Sequence, residues 1–413
     1  MVHHTMNTNN TSAPSASSNN KVMGLFSRVS RSFVRVVASG VIVGSLVSCA
    51  VGPVQIPAPV TRPGPAVVTA PADAGPLPPA IQRGKSRWTP VSWSELPGWG
   101  QDSLFEAWNA WVRGCERPAP GQAGPCAELR QLSIGTPAEQ QAWVMRRFQP
   151  YRVTELDGSL PDGLLTGYYE PIMAASRVPT ATHRTPLYAP PAGLRSGQPW
   201  YSRQEIDTLP AAQAALQGRA VAWLADPIDA LILQIQGSGR LNLVEADGRA
   251  RQVRVAFAAH NGHPYKSANR WLLDQGSISD ASWASVKAWA LQNPARVNEY
   301  LWSNPRTVFF REEVLSEFDA RFGPRGAQGV PLTPGRSIAV DPQSIPYGTP
   351  VWLASQGPTL NVQKLVLAQD TGGAIVGAVR ADLFTGWGGW DDEAYLTAAA
   401  LKQPLQLWVL VPR

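Results

Sequence analysis

The sequence predicts a mainly β protein with some α-helix, in two globular blocks behind a leader. Three observations support this. From Asn304 onward, short apolar runs alternate with Gly/Pro turns at Thr307 to Phe310, Ser337 to Val340, Pro350 to Leu353, Leu365 to Leu367 and Leu405 to Val411, the pattern of a small barrel. The stretch from about Val178 to Pro305 mixes strand and helix signals. The first ninety residues resemble neither block and stand outside the fold argument.

In that first part, Lys21, Arg28, Arg31 and Arg35 precede an apolar segment, Val36 to Val47, that ends in Leu46-Val47-Ser48-Cys49. The segment is short for a membrane span of about 20 residues. A small residue before cysteine reads as a lipobox, so residues 1–48 are expected to be a lipoprotein signal peptide and Cys49 the lipidated residue. The polar first twenty-two residues and the conventional leader opening at Met23 point to Met23 as the true start. Residues 49–87 carry nine prolines from Pro53 to Pro79 and few bulky apolar side chains, and read as a tether. At about 3.1 Å per residue in a polyproline-like chain, it could reach on the order of 100 Å from a lipid anchor.

The leader also carries four basic and no acidic residues, so its removal takes the chain from +6 to +2. A nucleic-acid partner is therefore not expected. Cys115 and Cys126 are the other two cysteines, and in an exported chain they are expected to pair as a disulfide.

The globular part is expected to begin near Trp88. Asp102 and Ser103 can cap a helix in which Leu104, Ala107, Trp108 and Trp111 recur at helical spacing, and Thr136-Pro-Ala-Glu139 is a capping box. Leu164-Leu-Thr-Gly-Tyr-Tyr-Glu-Pro171 reads as a strand whose adjacent tyrosines point to opposite faces. Asp226 to Arg240 reads as an apolar strand ending in Gly237-Ser238-Gly239, with Asp226 and Asp229 at its entry. A turn at Asp247-Gly248 leads into a strand with Val253, Val255 and Phe257 alternating. His260-Asn-Gly-His-Pro-Tyr265 is a polar turn, followed by helices carrying Trp271 and Leu272, then Trp283, Val286 and Trp289, then Tyr300 and Trp302.

No Walker loop, dinucleotide glycine motif, HExxH or CxxC pair is present, and His260 and His263 lack a third ligand nearby, so neither a cofactor nor a metal is expected. Ser238 lies outside any Gly-x-Ser-x-Gly elbow; Gly-Ser-Gly suits a loop offering backbone N–H groups or a plain tight turn. That leaves carboxylates, chiefly in Leu365 to Trp390, LVLAQDTGGAIVGAVRADLFTGWGGW. Asp370 ends an apolar run and opens Asp-Thr-Gly, but an aspartic protease needs two such triplets and would have to be a homodimer. Asp382 follows Arg380 and precedes Leu383-Phe384, where apolar neighbours raise a carboxyl and an inward-pointing arginine would oppose that. By itself it reads equally well as a salt-bridged structural residue.

LTGYYEP at 165–171, LQIQGSGR at 233–240, NGHPY at 261–265 and DTGGAIVGAVRADLFTGWG at 370–388, in that order behind a lipobox, resemble the MltA family of lytic murein transglycosylases. The resemblance covers roughly residues 90 to 413. It implies a double-psi β-barrel, discontinuous in sequence (88–175 and 306–413), with an inserted β-rich, glycan-binding domain (176–305) and a groove between them. It also implies a non-hydrolytic, lyase-type peptidoglycan exotransglycosylase that forms 1,6-anhydromuramic ends, acts as a monomer, and sits lipid-anchored on the periplasmic face of the outer membrane beside other cell-wall enzymes. Asp382 matches the family's catalytic aspartate, acting first as acid and then as base. Asp370, Tyr168, Tyr169, Gln236, Gly237, Ser238, Asn261 and Tyr265 are the residues expected to bind substrate. The segment after Gly389, Trp390-Asp-Asp-Glu-Ala-Tyr-Leu-Thr-Ala-Ala-Ala, departs from the alanine-glycine-rich pattern and puts the local helix geometry in question. A peptidoglycan-binding lipoprotein without turnover is the reading from another class.

Overall fold

The computed structural model describes residues 76–119 and 121–413. The signal peptide, Cys49 and the tether up to residue 75 lie outside the described residues. The described chain is a mostly β, mixed-sheet fold with helices. It starts earlier than expected: Ile81–Gln82 pairs with Arg87–Pro90, which pairs in turn with Phe148–Thr154 and buries Trp88.

Among the described residues fifteen strands share one hydrogen-bonded network. Its path runs from Phe148–Thr154 through Gln406–Pro412, Pro350–Gln356, Asn361–Asp370, Ser337–Val340 and Arg380–Gly388 to Leu164–Ser176. It continues through Ser238–Val244, Ala250–His260 and Val308–Val314. Two contacts in the first half are parallel: Ser337–Val340 with Asn361–Asp370, and Arg380–Gly388 with Leu164–Ser176. The thirteen-residue strand Leu164–Ser176 belongs to both halves. Its start pairs with Arg380–Gly388 and Lys402–Pro404, its end with Ser238–Val244.

Period-two alternation divides the apolar side chains between cores. Leu365 and Leu367 enter a core covered by the helices Leu104–Gly114, Ala123–Gln131 and Pro137–Arg147, where Trp108, Trp111, Trp143 and Phe148 pack edge to face. Val366 and Ala368 point the other way, into a core with Leu165, Ile338, Val340, Ala381 and Leu383. The second half has its own core, from Met173 through Leu231 and Leu243 to Phe310. Cys115 and Cys126 form a disulfide, with Cα atoms 5.6 Å apart, that ties the first helix to the second.

Several local expectations change. Residues Pro227–Gln236 are an α-helix, not a strand: Asp226 caps it by accepting from the Ile228 N–H, Pro227 stands in its first turn, and Gly237 ends it at φ 80°. Start and stop signals of a helix thus prevail over the apolar run. Ser238 and Gly239 accordingly begin a strand instead of forming a loop. A side chain at 239 would meet Leu233 Cδ2 at 2.2 Å, so glycine is what lets helix and strand pack.

Val308–Val314, expected on the barrel side of a boundary at 305/306, pairs with Ala250–His260 and completes the second half's sheet. The alternation of Val253 and Val255 breaks at Phe257, which is 44% exposed, at a register shift before Ala259. Thr136 and Glu139 form the capping box. Asp102 does not cap its helix; it forms a bidentate ion pair with Arg336 at 2.7 and 2.8 Å. The acidic segment after Trp390 makes the helix Glu393–Ala400, with Asp392 Oδ2 accepting from the Gly389 N–H at 2.7 Å.

Candidate active site

Cross-strand register collects the site. Ala339 on Ser337–Val340 is paired with Asp370 on one side and Asp382 on the other, and Asp382 is paired with Thr166 on the next strand. Residues in register share a face. Asp370, Ala339, Asp382 and Thr166 therefore form one row across four strands, with roughly 10 Å between the two aspartate Cα atoms by strand spacing.

Asp382 is partly buried. Arg380 Nη2 donates to Thr166 Oγ1 at 2.8 Å, which leaves the threonine hydroxyl to donate its own proton to Asp382 Oδ1. Oδ2 has no hydrogen-bond partner among the described residues. Burial raises the Asp382 carboxyl above its ordinary value, against the weaker opposing pull of Thr166 and then Arg380. The arginine points inward but forms no ion pair with Asp382: its Nη1 donates to the Ala381 carbonyl at 2.6 Å and the Leu164 carbonyl at 3.4 Å. The salt-bridged alternative for Asp382 is thereby removed.

Asp370 differs in its partners. Oδ1 accepts from the Ala327 N–H and Oδ2 from the Tyr168 hydroxyl, each at 2.9 Å. Burial raises this carboxyl too, opposed by hydrogen bonds from Thr371, Ala327 and Tyr168 and assisted by the charge of Asp382. Both oxygens of Asp370 are thus engaged by the protein, one by the Tyr168 hydroxyl and the other by the Ala327 loop. Tyr168 lies tilted on Phe384 at 5.4 Å, and burial holds its phenol well above the usual range.

The other expected groove residues divide into two groups. Tyr168, Gln236 and Tyr265 are half-buried and present side chains to the surface. Gln236 Oε1 accepts from the Tyr169 N–H at 3.1 Å. Tyr169, in contrast, is 3% exposed and packs on Tyr395, and Ser238 is buried in its strand. Gly237 is the helix terminus. Asn261 is 0% exposed: its amide donates to the Tyr201 and Pro305 carbonyls and its oxygen accepts from the Thr307 N–H. Asn261 therefore fastens three backbone segments and cannot touch a glycan. His260 and His263 are satisfied by the Gly262 N–H and the Trp200 carbonyl, and among the described residues no cluster of His, Cys, Asp and Glu could hold a metal ion.

Glu170 is fully buried between two guanidinium groups: Arg240 at 2.8 Å and Arg254 at 2.6 Å. Both arginines also donate to the Phe322 carbonyl, and Arg240 lies over the Trp387 ring at 4.1 Å. This charge cluster joins the shared strand, the second sheet and the strand that carries Asp382. Thr166, hydrogen-bonded to Asp382, is the neighbour that sequence reading missed, although it was inside a quoted motif, one position from the tyrosines' glycine.

Residues 164–311 match the MltA specific insert domain, and residues 336–411 match the 3D domain. The chain is 42% identical to the lytic transglycosylase LtgG of Burkholderia pseudomallei, covering 82% of this chain and all of that one, with a TM-score of 0.54. The chain belongs to the MltA family. Its fold is also that of MltA from Neisseria gonorrhoeae, at 29% identity, 82% and 96% coverage and a TM-score of 0.66. Membrane-bound lytic murein transglycosylase A of Vibrio cholerae is 28% identical over 74% of this chain and 75% of its own length. In this MltA-family chain both aspartates and the shared strand's first half fall within or beside the two matched regions.

Proposed function

We propose that this protein is a peptidoglycan lytic transglycosylase that cleaves the β-1,4 bond between N-acetylmuramic acid and N-acetylglucosamine with one aspartate, Asp382. The observation that carries the reading is the unequal engagement of the two row carboxylates: Asp382 keeps Oδ2 open, while both oxygens of Asp370 are held. Protonated Asp382 donates from Oδ2 to the leaving glycosidic oxygen as the C1–O4 bond breaks. The resulting carboxylate then takes the proton of the muramic C6 hydroxyl as O6 bonds to C1, closing the 1,6-anhydro ring and regenerating the acid. No water is consumed. A hydrolase would need a second free carboxylate for water or for a covalent intermediate.

The raised Asp382 suits its first task, because it keeps the proton to higher pH, and Thr166 with Arg380 limits the rise so that the proton can leave. Asp370 holds Tyr168 and the Ala327 loop. Tyr168, Gln236 and Tyr265 contact the glycan in the groove between the two halves. The two parallel strand contacts support reading the first half as a double-psi β-barrel made of residues 88–175 and the chain's C-terminal part, with the insert returning after Val314. The leader supports an anchor through lipidated Cys49 on the periplasmic face of the outer membrane. Among the described residues no helix is long and apolar enough to cross a membrane. The test is digestion of purified murein sacculi: wild type is expected to release anhydro-muropeptides and Asp382→Asn none, and product release by the variant would overturn the assignment.

A further inference from the structure

Arg306 is a half-buried cation with no carboxylate partner among the described residues. It lies where the chain returns from the insert, and its Nε donates to the His263 carbonyl at 2.8 Å. Among the described residues its Nη1 and Nη2 donate to nothing, and no carboxylate forms an ion pair with it. The fully buried arginines are matched: Arg240 and Arg254 by Glu170, Arg336 by Asp102, Arg203 by Gln234 and two carbonyls. Half-buried Arg113, whose Nε has no hydrogen-bond partner among the described residues, lies over the Phe322 ring, so what sets Arg306 apart is its place against Gly373. Burial without a partner lowers the Arg306 value, a sign of charge kept at a cost.

Its position is specific. The guanidinium lies against Gly373, in the loop joining the Asp370 and Asp382 strands, where an added Cβ would come within 2.7 Å of Nη1. Gly373 does not have the left-handed backbone that would itself demand glycine, so the close approach of Arg306 is what a side chain there would disturb. Beside it His260, whose Nδ1 accepts from the Gly262 N–H, carries its proton on Nε2 and is kept neutral by burial and by the Arg306 charge.

We propose that Arg306, seated on Gly373, binds a carboxylate carried by the glycan strand and makes the enzyme selective for acidic, muramic-type glycans over uncharged N-acetylglucosamine polymers. The guanidinium fork fits a carboxylate in two parallel hydrogen bonds. On peptidoglycan that carboxylate comes from the 3-O-lactyl group or from its peptide stem. The inference rests on the transglycosylase reading for its substrate, but not on turnover for its test.

Binding is measured in the Asp382→Asn background, with sacculus glycan bearing stems, the same glycan stripped of stems by an amidase, and chitohexaose. Arg306→Gln is expected to weaken binding of acidic glycan about tenfold, the size of a charged hydrogen bond, and to change chitohexaose binding less than twofold. Arg306→Lys should recover part of the loss, and Gly373→Ala, which displaces the guanidinium but keeps the charge, should lose affinity in the same direction. Loss confined to glycan with stems assigns the carboxylate to the peptide; loss confined to stripped glycan, where the amidase has freed the lactyl carboxyl from its amide bond, assigns it to the lactyl group. Equal weakening of chitohexaose, or unchanged binding of all three, would overturn the proposal. If wild type yields no anhydro products, the mechanism fails while these affinities still decide the role of Arg306.

Discussion

Asp382 and Glu170 lie on paired strands, one with a carboxylate oxygen left without a partner among the described residues and the other sealed at the junction of the two sheets. Glu170 has two arginines, each itself held by carbonyls, so its position is fixed. Asp382 has a threonine hydroxyl on one oxygen and nothing on the other, while the nearest guanidinium is directed to Thr166 and two carbonyls. The difference shows what separates a structural from a chemical carboxylate here. Full pairing fixes a side chain in place, and partial pairing in a buried place raises a carboxyl above its ordinary value.

The comparison can be broken first at Asp382. Asp382→Asn neither gives nor takes a proton, and activity on sacculi should fall about 10³-fold, measured as anhydro-muropeptide release. Glu170→Gln strands two buried guanidiniums and should destabilise the fold by about 3–5 kcal/mol, read from urea unfolding; a loss under about 1 kcal/mol would mean the cluster is not what joins the sheets.

Stability against pH gives a third separation. The folded protein keeps the Asp382 proton where the unfolded chain, with a value of about 3.9, has lost it. Stability from this group is therefore complete below that value and is lost as pH rises through the raised folded value. Asp382→Asn should accordingly unfold at a higher temperature than wild type at neutral pH, with a flatter pH dependence; a lower temperature would contradict the burial of a strained carboxyl. The smallest effect is expected at Thr166. Thr166→Val removes a bond that favours the ionised form, so the alkaline limb of the activity profile should move to higher pH and kcat should drop about fivefold. An unmoved limb would remove Thr166 from the proton's control.

Sequence reading reached the disulfide partners, the Thr136 capping box and most strands of the first half, because these rest on local signals or on motifs. It failed at Pro227–Gln236, where a continuous apolar run fits a buried strand and a buried helix equally well and the Asp-Pro start and glycine stop were given too little weight. Asn261 and Ser238 looked like ligand contacts because they are polar residues in turn-like sequence, and burial turned them inward. The partners of Glu170 lie 70 and 84 residues away, and only sheet register brings them together. Arg306 was invisible for a like reason: what sets it apart is its place against Gly373.

The most direct measurement is the mass of the glycan ends released from purified sacculi by the wild-type protein. The single-aspartate account predicts muramic ends lighter by one water than hydrolysed ends, with no incorporation of isotopic oxygen from labelled water. Ends carrying the full mass and the label would contradict it, and would require a second catalytic group that the held oxygens of Asp370 do not provide.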